Sequence, residues 1–388
     1  MMNVIIIKIL FWISAFMIFW ANIGYPISIL LLGKVIKRKN KTIASNENSV
    51  SIIIAAHNEE KVIQQKLENI ISLDYPKEKV EIIVTSDNST DKTNEIVKEF
   101  IKNHPTENIK LYKVKKRMGK TNAQNEAVKI AKNDILIMTD ANAIIKKDAI
   151  KELVESFSEN VSYVTGKLEY INGDLTETSN SEKKYWDLDT RVRDIESNIQ
   201  TITAGNGALY ACVRNDYHNF NPIQCHDSAM PLYYALNKKR AIANHKAIAY
   251  EKAGENTKDE YKRKVRMSRI VLSAIFPSIK ILNIFKYKWF TYFYFGHRSS
   301  RYLLWLNHII LLITNLLLCN QGIVYIACFI AQLLVYLIAV LKLVFKLDNK
   351  VINMIYYYCM TIFAQINGVL NTILGKNKPF WEKAESTR

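Results

Sequence analysis

Asp140 and Asn142, with only Ala141 between them, stand just past the end of a short apolar run at residues 135–139. A carboxylate and an amide oxygen are hard ligands of the kind Mg²⁺ and Mn²⁺ take, and such ions leave positions for water and substrate phosphates. Other polar clusters carry Asp87 (Ser86-Asp87-Asn88-Ser89-Thr90-Asp91), Lys120 (the basic turn Lys115-Lys116-Arg117-Met118-Gly119-Lys120) and Asp227 (Cys225-His226-Asp227). Taken alone, the Asp140 stretch is more often a strand ending in a polar turn, and Asp227 reads locally as the N-cap of a helix over residues 228–236.

The elements that must position these groups alternate. Apolar strands are expected at residues 49–56, 80–85, 109–114 and 135–139, with helices after them through 71, to about 102, and between 120 and the fourth strand. Strands alternating with helices of that length mean βαβ units and a parallel sheet, in which ligands collect at the carboxyl ends of the strands. Each cluster in this stretch follows a strand, so all share one edge. Further on, a helix is expected at 146–158, a strand at 161–165 and a polar helix at 176–199 with Tyr185 and Trp186 as packing or substrate contacts. The glycine turn Thr203-Ala204-Gly205-Asn206-Gly207-Ala208 leads into a strand at 209–213. Its two glycines suit either close backbone approach to a ligand or a simple tight turn.

The 388 residues carry a formal charge of +17, which suggests an anionic partner. Residues 302–341 contain no Asp, Glu, Lys or Arg, a stretch that a soluble nucleic-acid binder has no use for, so nucleic acid is excluded as the partner. Five cysteines without CxxC spacing argue against a disulfide framework or a zinc site, and Cys319, Cys328 and Cys359 lie in apolar runs.

Residues 1–33 read as a transmembrane helix, too long for a signal peptide and with no small-residue cleavage site after it. Lys34, Lys37, Arg38, Lys39 and Lys41 follow, and by the positive-inside rule they keep residues 34–269 in the cytosol. Residues 258–270 form a basic helix, and 270–301, aromatic and broken by Pro277, lie in the membrane interface. Residues 302–375 are C-terminal transmembrane helices: two spans hinged near Asn320-Gln321-Gly322, and a weaker third at 351–375 carrying Asn353, Gln365, Asn367 and Asn371. A basic tail, residues 376–388 with Lys376, Lys378, Lys383 and Arg388, closes the chain, on the outer face if all three spans cross.

In motif order, residues 49–269 resemble glycosyltransferase family 2 in its membrane-bound, cellulose-synthase-like and hyaluronan-synthase-like branch. Ala55-Ala56-His57-Asn58-Glu59-Glu60 is similar to P-x-Y-N-E-E, Ser86–Asp91 to D-D-G-S-T-D, Arg117-Met118-Gly119-Lys120 to R-x-G-K, Thr139-Asp140-Ala141-Asn142 to D-x-D, and His226-Asp227 to E-D or T-D. The resemblance implies a GT-A-like α/β fold, with a Rossmann-like, mostly parallel sheet bearing helices on both faces, in a cytosolic domain between transmembrane helices of a multi-pass cell-membrane protein. It implies inverting transfer from a nucleotide sugar, a UDP-hexose or UDP-N-acetylhexosamine, to a lipid-linked or polysaccharide acceptor. Asp227 would be the general base. Ala55, His57, Asn58, Glu59, Asp87, Lys120, Asp140, Arg263 and Arg266 would contact the donor, Asp140 and Asn142 would hold Mg²⁺ or Mn²⁺, and Gly205, Asn206, Gly207 and His226 would line the acceptor side. The Q-x-x-R-W motif of processive synthases falls on Arg263-Lys264-Val265-Arg266-Met267, where only the Arg matches. That favours addition of one or a few sugars over a processive polysaccharide synthase. A polyprenyl-phosphate or lipid glycosyltransferase is the alternative enzyme, and a non-catalytic membrane scaffold the alternative class.

Overall fold

The computed structural model describes residues 2–36, 48–171, 177–252 and 257–380. Lys37, Arg38, Lys39, Lys41, Lys383 and Arg388 of the basic flanks, and the side chains of Tyr185 and Trp186, lie outside the described residues.

One sheet organises the chain. Its strands are β1 (Val50–Ala56), β2 (Val80–Ser86), β3 (Ile109–Lys113), β4 (Ile135–Asp140), β5 (Ile144–Ile145), β6 (Val161–Tyr170), β7 (Leu209–Val213) and β8 (Arg240–Glu251). Their spatial order is β3-β2-β1-β4-β7-β6-β8-β5. The first four in that order are parallel. Beyond them, β7 runs antiparallel to both β4 and β6, β6 and β8 are parallel, and β5 is antiparallel to β8. The sheet is therefore mixed, with β7 and β5 running against the six strands that share one direction. After β4 the chain skips a place to lay down β6. It then returns through the helix Glu177–Ile199 and inserts β7, reversed, into the gap.

Apolar residues of β1 divide by strand period between the two faces. Ile52 and Ile54 pack with Ile63, Leu67, Val97 and Ile150 on one side, and Ile53 packs with Leu136, Met138, Ala127 and Tyr234 on the other. Each such fully buried aliphatic side chain is worth roughly 1.5–3 kcal/mol. Both faces are covered, so the central strands read as continuous apolar runs.

The register sets the working edge. Ala55 stands beside Asp140 and Ala56 beside Ser86, so β1, β2 and β4 end together. Antiparallel β7 begins there instead, with Leu209 beside Thr139, and this brings the preceding loop, residues 203–208, to the same edge.

Among the described residues, three helices are long and apolar enough to cross a membrane: Val4–Val35, Leu304–Gln321 and Ile323–Phe345. The first widens into a π turn at Trp20–Gly24, just before Pro26, whose missing N–H removes one bond of the helical ladder. The helix Lys350–Ile373 does not join the three. Its polar groups face protein: Gln365 donates to the Arg301 carbonyl at 3.0 Å, and Tyr357 donates to Glu260 at 3.1 Å. Gly368 lies so close to Ser268 that a Cβ would overlap it. This helix is a pedestal for the basic helix Thr257–Met267. Between the two regions, residues 271–302 form short helical pieces that leave Phe276, Ile279, Leu282, Ile284 and Phe285 largely exposed.

A buried polar cluster ties the first apolar helix to the helix Glu177–Ile199. Tyr25 donates to Glu196 Oε1 at 2.6 Å. His297 reaches Glu196 at 2.8 Å through Nδ1 and Asp189 at 2.9 Å through Nε2. Both partners are acceptor-only carboxylates, so both ring nitrogens carry protons. Burial pushes the imidazole pKa down, but the Glu196 carboxylate leads the opposing pull that raises it. Arg193 and Arg301 close the cluster on Asp189.

Candidate active site

The loops after β1 and β2 are stitched together. The Asn58 N–H donates to Ser89 Oγ at 3.1 Å, the Thr90 N–H to Asn58 Oδ1 at 2.8 Å, and the Glu59 N–H to Thr93 Oγ1 at 2.7 Å. His57 Nδ1 donates to the Asp87 carbonyl at 2.8 Å, and Ala55 sits in the strand two residues behind, beside Thr85.

Asp87 is 3 % exposed, and its carboxylate accepts the Met118 N–H at 3.0 Å and the Gly119 N–H at 2.7 Å. The carboxylate after β2 thus holds the basic turn after β3, and Gly119 adopts φ +90°, a conformation open to glycine.

That turn delivers Lys120, first residue of the helix Lys120–Ile130, to the centre of the edge. Lys120 Nζ pairs with Asp140 Oδ1 and donates to the Gly207 carbonyl at 2.9 Å. A Cβ on Gly207 would lie 3.3 Å from Lys120 Nζ and 4.0 Å from Asp227 Oδ2, so only a bare backbone leaves this space open. Burial pushes the Lys120 pKa down, and Asp140 foremost, then Asp227, raise it above the ordinary lysine range. Lys120, Asp140, Gly207 and Asp227, from four separate segments, converge here.

The helix expected from residue 228 in fact spans His226–Leu236, with Cys225 as N-cap. This corrects the cap reading: Asp227 lies in the first turn, inside the cap position, and stays partly exposed. Its carbonyl accepts the Gly205 N–H at 2.7 Å. Of the residues expected on the acceptor side, Gly207 stands at this convergence, whereas Asn206 and His226 are tied into the surrounding structure. Asn206 is 4 % exposed, and its Oδ1 accepts the Ala208 N–H at 3.0 Å and the Leu209 N–H at 3.2 Å. His226 is buried between Tyr210 (2.8 Å) and Tyr217 (3.2 Å), and burial lowers its pKa to about 3, so the ring is neutral.

The two arginines of the basic helix part company. Arg263 forms a two-point pair with buried Glu260, at 2.6 and 2.8 Å. Arg266 lies within electrostatic reach of Cys225, Arg269 and Asp140. Burial, then the neighbouring Arg263 guanidinium, lower its pKa to about 10.

Among the described residues no group of three His, Cys, Asp or Glu could hold a metal ion. The oxygen pair Asp140 and Asn142 is nevertheless partly exposed at the strand end, and the chemistry of that pair fits a hard cation whose remaining ligands come from a diphosphate.

Sequence reasoning missed Lys66 and Glu251. Lys66 is fully buried behind the Asp140 turn, donating to Thr139 Oγ1 at 2.8 Å and to the Ala143 carbonyl at 2.6 Å, and burial lowers its pKa to about 7. The available signal was a lysine at an apolar position, three residues after Ile63 and four before Ile70. Glu251 ends β8, and its charge acts on both Lys66 and Lys120.

Residues 51–212 match the family described as Glycosyl transferase family 2. The chain is 39 % identical over 132 residues to the dolichyl N-acetyl-alpha-D-glucosaminyl phosphate 3-beta-D-2,3-diacetamido-2,3-dideoxy-beta-D-glucuronosyltransferase of Methanococcus voltae, a match covering 34 % of this chain and 40 % of that protein. It is 37 % identical over 119 residues to the poly-beta-1,6-N-acetyl-D-glucosamine synthase of Staphylococcus epidermidis, covering 30 % of this chain and 28 % of the relative. The chain thus spans less than half the length of these curated relatives. The solved mannosyltransferase PcManGT from Pyrobaculum calidifontis, in complex with GDP-Man and Mn²⁺, superposes with a TM-score of 0.68 at 19 % identity, over 95 % of this chain and 99 % of that one. The likeness shows the fold, GT-A-like α/β with a mixed sheet.

Proposed function

We propose that this chain, whose residues 51–212 are a glycosyl transferase family 2 domain, is an inverting membrane glycosyltransferase moving a sugar from a nucleotide-sugar donor to a lipid-linked or glycan acceptor. The observation that carries the reading is the convergence at Lys120. Asp140 pairs with its ammonium, and Asp227 lies near the same Gly207 backbone that the ammonium approaches. Inverting transfer needs those two sides: a base behind the acceptor oxygen, and positive charge on the departing diphosphate.

In this reading Asp227 accepts the acceptor hydroxyl proton as its oxygen bonds to the anomeric carbon and the bond to the nucleoside diphosphate breaks. The partly exposed Asp227 carboxylate is open to an incoming hydroxyl, whereas neutral, enclosed His226 is not a competing base. Lys120 brings a fixed positive charge to the diphosphate. Asp140 and Asn142 would hold Mg²⁺ or Mn²⁺, which would neutralise charge on the leaving group. Asp87, by clasping the Met118–Gly119 backbone, shapes the turn against which the nucleoside lies. Arg266, within electrostatic reach of Asp140, is a phosphate contact, whereas Arg263 is committed to Glu260.

The three long apolar helices and the exposed apolar side chains at 276–285 support a bilayer location, and Lys34 with the basic residues after it supports a cytoplasmic catalytic edge. The missing Gln and Trp at 263 and 267 favour a few additions over long polymerisation. The test is nucleotide release by the purified full chain, with UDP-, GDP- and dTDP-sugars offered against lipid and glycan acceptors. No release from any donor would overturn the reading.

A further inference from the structure

Arg269 joins the two sides of this site through atoms that neither side shares. It lies 6 % exposed in the turn Ser268–Ile270 that follows the basic helix. Its Nη2 donates to Cys225 Sγ at 3.3 Å, and Cys225 is the N-cap of the helix whose first turn carries Asp227. Its Nη1 donates to the carbonyls of Lys378 at 3.2 Å and Pro379 at 3.4 Å.

Those two carbonyls belong to the segment that leaves the last helix and crosses to the donor turn. The Pro379 carbonyl rests on Gly119 so closely that a Cβ there would overlap it, and the Phe380 ring takes the Arg117 guanidinium 4.5 Å from its centroid. Asn377 Nδ2 secures the segment's start, donating to Thr372 Oγ1 at 2.8 Å and to the Arg269 carbonyl at 3.4 Å. The turn under this strap is the one that Asp87 clasps from within and that aims Lys120.

We propose that Arg269 is a positioning residue that holds the start of the Asp227 helix and the strap at 377–380 in one register, so that the donor turn and the base are set relative to each other. The inference rests on the donor-site reading above. A guanidinium can serve the sulfur and the two carbonyls from different nitrogens of one rigid plane; an ammonium cannot reproduce that geometry.

The test is a double-mutant cycle on the full chain in detergent, reading nucleotide-sugar affinity by calorimetry and transfer rate on the same preparation. Arg269→Lys and Phe380→Ala should each raise the donor Kd about tenfold, and the double variant should be no worse than the weaker single one, since both loosen one strap. Arg269→Lys alone should also lower kcat, because it alone touches the Asp227 helix. Additive losses, or donor affinity unchanged in both variants, would overturn the inference. Removal of residues 377–388 is the coarser check and should match Phe380→Ala in Kd. If wild-type protein binds no nucleotide sugar, the functional reading fails; if it binds and the variants bind equally, only the role of Arg269 fails.

Discussion

The two halves of the edge are built on different principles. On the donor half, Asp87 and Asp140 follow their own strands in short local motifs, and parallel pairing aligns the ends. On the acceptor half, Asp227 and Gly207 reach the edge only because β7 is reversed and the helix at His226–Leu236 docks beneath it. The donor half depends on local chain geometry and the acceptor half on long-range assembly, so they should fail differently: the first by losing ligand, the second by losing rate.

The largest expected effect tests the donor half. Chelator-treated protein should lose turnover and regain it with Mg²⁺ or Mn²⁺, because Lys120 and Arg266 without the ion leave the diphosphate under-neutralised. Full activity in EDTA would break the assignment of Asp140 and Asn142. Next, Asp227→Asn should cut transfer by about 10²–10⁴-fold, the usual contribution of a positioned base, with donor affinity intact. A matching loss of affinity would erase the distinction between the halves. Asn142→Asp should sharpen it: the added carboxylate tightens metal binding, read as a lower activating metal concentration, while transfer persists.

The smallest effect concerns Lys66. Its folded pKa, about 7, lies below the ordinary 10.5, so between those values the unfolded chain binds a proton that the folded protein does not. Stability therefore rises with pH across that window, and below about pH 7 the full cost of a buried charge remains. Lys66→Met should flatten the rise of Tm between pH 7 and 9 relative to wild type, whatever the lost hydrogen bonds do to its absolute value. Parallel curves would remove Lys66 from the pH response.

What was readable in the sequence follows the same division. The strands ending at Ala56, Ser86 and Asp140 are uninterrupted apolar runs with polar loops behind them, and periodicity locates them. β8 escaped because its pairing with β6 jumps from Ala243 to Ile248, with His245 and Lys246 turned to solvent. Asp227 read as a cap because Ser228 resembles a helix start, whereas the helix already runs from His226. Buried Asp189 and Glu196 share the inward side of a largely polar helix with Val192 and Ile199, and their partner His297 is about a hundred residues away. No local pattern announces a charge whose partner is that remote.

The bond from Tyr25 to Glu196 has a mechanical consequence. An anchor attached by a slack linker would let the catalytic head swing, with a reach set by linker length. Here the first apolar helix is bolted to the helix leading into the glycine turn, with Ile29, Val192 and Ile199 packed around the joint. With that helix in a bilayer, the working edge rides at one height and one tilt above the lipid. In the proposed reading an acceptor would have to present its hydroxyl at that altitude, so the joint would act as a ruler on the acceptor before any residue of the site touches it.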